Sequence, residues 1–327
     1  MRRREFIAGI GAVASWPRAA KAQQSAMPVI GFLGATSPEG YATFVRGFLL
    51  GLKDEGFTDA ENVAIAYHWA QGQYDRLPAL AADFVSRGVS VIVATGGLQT
   101  SLAAKQATQT IPIVFTLGSD PIKFGLVSSL NRLGGNITGV TLFAYLLDAK
   151  RVELMHELVP GAAVVALLVN PNSPAQAEAK FAEVEAASRK FGQRLVVLKA
   201  GTESEIDQAV ATIAQSKASA LLVSADPFFL SKRDRLIALV TRNAIPSIFE
   251  WRQFVEAGGL MSYGIDLVDA YRQAGAYTGR ILRGARPADL PILQPTKFEF
   301  VINLKAARAL GIVVPNTMLV AASAVIE

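Results

Sequence analysis

From Pro28 onward the chain alternates between short runs with strand chemistry and longer runs with helical period, and then the same succession starts again. The first round predicts strands at Val29–Leu33, Val63–Trp69, Val89–Ala94 and Ile113–Thr116. Between them it predicts helices at Glu39–Lys53, Tyr74–Ser86 and Leu98–Thr108. In the first helix Phe44, Phe48 and Leu52 fall on one face, the spacing of an amphipathic helix. Runs such as Val89-Ser90-Val91-Ile92-Val93 suit strands covered on both sides, and strand–helix alternation of this kind builds a parallel sheet between two helical layers.

The second round predicts strands at Val164–Val169, Leu195–Leu198, Ala220–Val223 and Ser247–Phe249. Its helices are Pro174–Lys190, Ile206–Gln215 and Ser231–Thr241. Landmarks repeat in order. Ser37-Pro38 returns as Ser173-Pro174, Val93 before its loop as Val223, and Ile111-Pro112 as Ile245-Pro246, at offsets of 136, 130 and 134. Three landmarks at nearly one offset argue for two lobes of the same topology. A strand at 261–264, a long helix Asp266–Arg283, a strand Phe298–Ile302 and a short helix Leu304–Leu310 close the chain. The expected fold class is α/β: two Rossmann-like parallel-sheet lobes joined by a three-stranded hinge. Residues 28–143 plus 262–291 form the first lobe and residues 144–261 plus 292–327 the second. The crossings fall near 142–145, 260–264 and 291–296, an arrangement that can bend without unfolding either half.

Residues 1–22 read as a cleavable signal peptide: basic Arg2, Arg3 and Arg4, an apolar stretch Phe6 to Ser15, then Ala20-Lys21-Ala22, with cleavage after Ala22. Arg3-Arg4-Glu5-Phe6-Ile7 resembles a twin-arginine export signal, and an ordinary secretory signal with a basic start is the other reading. The apolar stretch is about half of the ~20 residues a membrane span needs. The expected location is the periplasm. Charge supports the same division. The formal net charge is +5, but beyond residue 22 there remain 27 basic and 26 acidic residues. A mature chain so near neutrality has no global attraction for phosphate backbones, so no nucleic-acid partner is expected. The absence of cysteine excludes disulfides and thiolate chemistry.

In open parallel sheets ligands bind beyond the carboxyl ends of the strands. Two facing lobes would bring Ala35–Pro38, Thr95–Leu98 and Gly118–Asp120 of the first against Asn170–Pro174, Ala225–Phe229 and Glu250–Trp251 of the second. Candidate ligand contacts are therefore Thr36, Ser37, Thr95, Gly96, Gly97, Gly118, Ser119 and Asp120, with Asn172, Ser173 and Asp226 opposite. Thr95-Gly96-Gly97 opens a helix whose free N–H groups suit a carboxylate, or it is simply a tight turn. Asp226 would pair with an ammonium, or simply cap the next helix; Asn172 and Ser173 have the same two readings. Phe143, Tyr145, Phe228, Phe229, Trp251 and Tyr263 fall near cleft or hinge loops, where they would sandwich a planar ligand or pack the core.

The chain resembles the tryptophan/tyrosine-type ABC-transporter substrate-binding protein family over nearly all of its mature length. The landmarks are Ile111-Pro112-Ile113-Val114-Phe115, Ser119-Asp120-Pro121, Gly135-Asn136-Ile137-Thr138-Gly139-Val140 and Tyr263-Gly264-Ile265-Asp266-Leu267. The tail Gln294-Pro295-Thr296-Lys297-Phe298-Glu299, followed by Val301-Ile302-Asn303-Leu304-Lys305, belongs with them. The resemblance implies a type I periplasmic-binding-protein fold with three crossovers, and import through an ABC permease. It also implies an amino-acid-like, often aromatic, ligand; the chain is expected to act as a monomer. It implies the ligand carboxylate on first-lobe hydroxyls and amides, here Thr95–Gly97, and the ammonium on a second-lobe acid, here Asp226. The lipobox cysteine of lipoprotein relatives is missing, so the mature chain is expected free in the periplasm.

No catalytic, metal or cofactor set assembles from the sequence. His68 lies in a strand and His156 in the helix Ala149–Leu158, without metal-ligand spacing. Gly31-Phe32-Leu33-Gly34 is not a dinucleotide fingerprint and no Walker A lysine motif exists. A cofactor enzyme is thus the weaker alternative. A sugar-operon-type regulator would need a DNA-binding helix pair where the export signal stands. A receptor feeding a membrane sensor kinase stays open beside the transporter component.

Overall fold

The computed structural model describes residues 27–131 and 135–327; the export signal and its cleavage after Ala22 lie outside the described residues, as does the side chain of Tyr145. In chain order the first part contains β1 (Val29–Gly34), α1 (Pro38–Asp54), β2 (Ala64–Trp69), α2 (Leu77–Ser86), β3 (Val91–Thr95), α3 (Leu98–Ala107), β4 (Ile113–Leu117) and β5 (Ile137–Thr141). The second part contains α4 (Asp148–Leu158), β6 (Val164–Val169), α5 (Pro174–Lys190), β7 (Arg194–Lys199), α6 (Glu203–Ser216), β8 (Ala220–Val223), α7 (Pro227–Ser231), α8 (Arg233–Arg242), β9 (Ser247–Phe249) and α9 (Arg252–Glu256). The closing elements are β10 (Met261–Ile265), α10 (Leu267–Leu282), β11 (Phe298–Asn303), α11 (Leu304–Ala309), α12 (Asn316–Ala321) and β12 (Ala324–Ile326).

Two sheets result, in the orders β2-β1-β3-β4-β5 and β12-β11-β10-β9-β8-β6-β7. Reversing the second order gives β7-β6-β8-β9-β10, strand for strand the succession of the first sheet, so the sequence echo is an echo of topology. Every pairing is parallel except β10 with β11. The interior strands β3, β4 and β8 are buried along their whole length, as strands roofed by helices on both sides must be, and so is β5 at the edge of the first sheet.

The chain passes between the sheets three times, and the strand pairings move one boundary. The sequence places residues from 262 onward with the first lobe. In the structure β10 pairs with β9 and β11 through Ile265, so it belongs to the second sheet. The crossing falls at Asp266, whose carboxylate caps α10 by accepting from the N–H groups of Val268 and Asp269. At the return, Leu293 still belongs to the first sheet: its N–H donates to Gly139 O and its carbonyl accepts from Thr141 N–H. The expected helix Ser231–Thr241 is α8, and a short helix not expected from the sequence, α7, precedes it and meets it at Lys232.

Helix α10 lies along α1 because both carry small residues one turn apart. A Cβ on Gly51 would stand 1.8 Å from the Arg272 carbonyl oxygen, and one on Gly275 2.0 Å from that of Phe48. The two backbones meet where any side chain would hold them apart.

Candidate functional site

The carboxyl ends of β1, β3, β4, β6, β8 and β9 face one another across a gap, and the lobes touch there. The deepest contact is at Asp226. Its side chain caps α7, with Oδ1 accepting from Phe228 N–H at 2.8 Å. The same oxygen accepts from Asn170 Nδ2 at 2.9 Å within the second lobe, and from the Tyr74 hydroxyl of the first lobe at 3.1 Å. Oδ2 receives none of these bonds. Asp226 is 4% exposed. Burial raises its pKa from 3.8 to about 6, while the three donors pull the other way. Burial, then the neighbouring Asp226 charge, holds the Tyr74 hydroxyl well above its ordinary range.

Beside Asp226 an open cleft of about 590 Å³, mouth included, runs between the lobes. It brings together Gly118, Ser119 and Asp120 after β4 with Ser173 and Asp226, five of the residues expected from sequence. Asn170, Gln176, Lys180 and Glu183 complete its polar wall, and Phe124, Ala144 and Ala177 give it an apolar one. Gln176 Nε2 donates to Ser119 Oγ, a second hydrogen bond between the lobes. Asp120 also braces its own loop, with Oδ1 accepting from the N–H groups of Ile122 and Lys123.

Thr95, Gly96 and Gly97, expected at the ligand, are not brought into the lining of this cleft. Gly96 and Gly97 have φ of +87° and +102°, which side chains rarely adopt. The Cβ position of Gly97 lies 3.7 Å from the Pro227 ring of the opposite lobe. Thr95 is fully buried and its hydroxyl donates to Leu33 O at 3.2 Å. Burial raises the pKa of the Tyr271 hydroxyl, from α10, to about 12, with Thr116, Thr95, Tyr41 and the Gly96 backbone pulling the other way. Thr36 is buried with a hydroxyl that finds no partner, and Ser37 precedes α1 without capping it.

Other expected contacts lie elsewhere. Trp251 is buried in the main hydrophobic core. Tyr263 stacks on Phe298 and meets Phe300 edge-on. Asn172 is exposed, its N–H held by Asn170 Oδ1 at 2.9 Å. Phe143 sits half-buried at the first crossing with φ +40°. Phe228 and Phe229 are core residues. Neither histidine reaches the cleft: His68 pairs with Asp83 at 2.7 Å, and His156 stacks on Phe191.

Sequence reasoning misses a buried ionic cluster behind the cleft wall. Arg151 is paired with Asp148 and lies 3.4 Å from Glu250, while Lys180 Nζ is 2.7 Å from the second oxygen of Asp148. Arg151 also donates from Nε to Tyr263 O at 2.8 Å and from an Nη to Ala144 O at 3.1 Å. Burial raises the pKa of Glu250, with Arg151 and Lys180 opposing. Charge spacing on α4 (Asp148 and Arg151 at i, i+3) is the only sequence signal of this cluster.

Two topologically equivalent parallel sheets, three crossings and one shared cleft define the type I periplasmic-binding architecture. Residues 29–326 match the family described as ABC transporter substrate binding protein, and the chain belongs to that family. A tyrosine-binding protein of Clostridioides difficile is 29% identical over 265 residues, which cover 81% of this chain and 75% of that protein. The crystal structure of an ABC domain in complex with L-Trp from Streptococcus pneumoniae superposes with a TM-score of 0.80 at 28% identity, covering 91% of this chain and 99% of that one. A conserved domain protein of Vibrio cholerae superposes with a TM-score of 0.83 at 27% identity, with the same coverage.

Proposed function

We propose that this chain is exported to the periplasm, cleaved after Ala22, and acts there as a monomeric receptor. It closes on an aromatic amino acid and delivers it to an ABC permease. The observation that carries the ligand class is Asp226, a carboxylate buried between the lobes with one oxygen saturated by three donors and the other left for a cation. A ligand ammonium there offsets the loss of solvation that burial imposes. Phe124, Ala144 and Ala177 take the ring, and the loop after β4 takes the carboxylate. The relatives described as tyrosine-binding and as L-Trp-bound support the aromatic choice.

The test is a thermal-shift and calorimetric screen of the mature chain against the common amino acids. L-tyrosine or L-tryptophan is expected to bind at micromolar Kd, about −8 kcal/mol. At 100-fold excess over Kd either should stabilise the fold by about 2.7 kcal/mol. No shift with any aromatic amino acid removes the ligand class.

A further inference from the structure

We infer that Tyr74 is the first-lobe residue that registers closure: its hydroxyl crosses the cleft to the ligand-binding carboxylate of Asp226 and slows ligand escape without taking part in ligand entry. The inference deepens the proposed function and rests on that reading of Asp226.

Tyr74 opens a short 3₁₀ turn, Tyr74–Arg76, between β2 and α2. Asp226 is 152 residues away in the chain and belongs to the other sheet. Of the three donors on Asp226 Oδ1, two are second-lobe groups, Asn170 Nδ2 and Phe228 N–H. Those two move with Asp226 and hold its plane whatever the first lobe does. The Tyr74 hydroxyl alone arrives from the opposite side, so this bond exists only when the lobes meet. The approach is tight on both flanks: the Cβ position of Gly72 lies 3.8 Å from the Phe228 ring, and that of Gly97 lies 3.7 Å from Pro227. Tyr74 packs, partly buried, against the first-lobe apolar cluster that includes Leu77, Ala81 and Phe84. Phenylalanine at this position keeps the anchor and removes the hydroxyl alone.

Because all three bonds converge on one oxygen, the second oxygen keeps its lone pairs for a ligand ammonium. Tyr74 is thus a positioning residue with a kinetic signature. A contact formed after encounter lowers the dissociation rate and leaves the association rate alone.

Stopped-flow tyrosine or tryptophan fluorescence on the full mature chain, with L-tyrosine and L-tryptophan as probes, separates the two rates. Tyr74→Phe should raise the dissociation rate about tenfold, the size of one lost hydrogen bond to a charged group. Its association rate should stay within about twofold of wild type and its ligand-free melting temperature should not move. An unchanged dissociation rate, or a loss carried by the association rate, overturns the inference. A second measurement stands apart from the ligand assignment. The chain has no cysteine, so dyes on Ala42→Cys in α1 and Asp234→Cys in α8, both exposed, report lobe separation cleanly. In an Asp226→Asn background without ligand, adding Tyr74→Phe should lower the closed-to-open ratio about fivefold. An unchanged ratio overturns the role of Tyr74, even if neither amino acid binds. Failure of both amino acids to bind wild type, with the ratio falling as expected, removes the ligand class and keeps Tyr74.

Discussion

Replacing Asp226 with asparagine separates what this carboxylate does to the fold from what it does for a ligand. In the folded chain its pKa is about 6 instead of 3.8, because burial outweighs the three donors around it. At about 1.4 kcal/mol per pH unit, that difference corresponds to about 3 kcal/mol. The sign follows from proton binding. An acid whose pKa is raised by folding holds its proton better when folded. Its contribution is whole below about pH 4 and is lost as the pH climbs through about 6. At pH 7.5 the wild-type chain therefore carries the whole penalty, and the neutral amide carries none. Asparagine keeps an Oδ1 to accept from Asn170, Phe228 and Tyr74. The opening proposed for the cleft would shed part of the penalty, so about 3 kcal/mol is a ceiling. Thermal melts of both proteins from pH 4 to pH 8 read the effect. Asp226→Asn should melt several degrees above wild type at pH 7.5, with the gap closing toward pH 4. In the same samples its affinity for L-tyrosine should fall at least about thirtyfold, because a buried ammonium loses its charged partner. Melting temperatures that run parallel across this pH range would refute the role given to burial.

Gly51→Ala forces a methyl against the Arg272 carbonyl and should destabilise the chain by about 1–3 kcal/mol in urea titration, without changing ligand rates. Arg151→Met strips the shared cation from Asp148 and Glu250, and should lower stability by about 3–5 kcal/mol by the same titration. Trp251→Phe should lower the melting temperature while leaving the L-tyrosine Kd within about twofold, since Trp251 packs in the core.

The parts of the fold that are legible in sequence are those with local causes. β1 and β3 announce themselves through apolar runs, and α1 through the period of Phe44, Phe48 and Leu52. The pairing of halves is visible because Ser-Pro and Ile-Pro sit at fixed places in each. β5 escapes notice as a strand, for it is five residues long with Gly139 at its centre, a residue that weakens strand propensity. The boundary at 262 is misplaced in sequence because Met261–Ile265 could continue either sheet; only its pairing with β9 decides. At the site, Asp226 and the loops after β4 and β6 are accessible from topology alone. Tyr74, Tyr271 and Arg151 are not. Tyr74 and Tyr271 look like ordinary amphipathic-helix residues, and their partners lie on other elements. Trp251 misleads in the opposite direction: a loop position suggests exposure that tertiary packing removes.

Arg151 also shapes how the lobes can move. Its guanidinium grips the carbonyl of Ala144 in one connecting segment and that of Tyr263 just ahead of another. Two of the three connectors are thus riveted to a common post on the second-lobe side. The rotation proposed for closure would be taken up between that post and the first sheet, over the few residues before Ala144 and after Tyr263. The third connector, beyond Leu293, has no such rivet to Arg151. In the proposed closing motion this arrangement would favour swinging about a single short axis, like a door on two pins with a slack safety chain, over independent twisting.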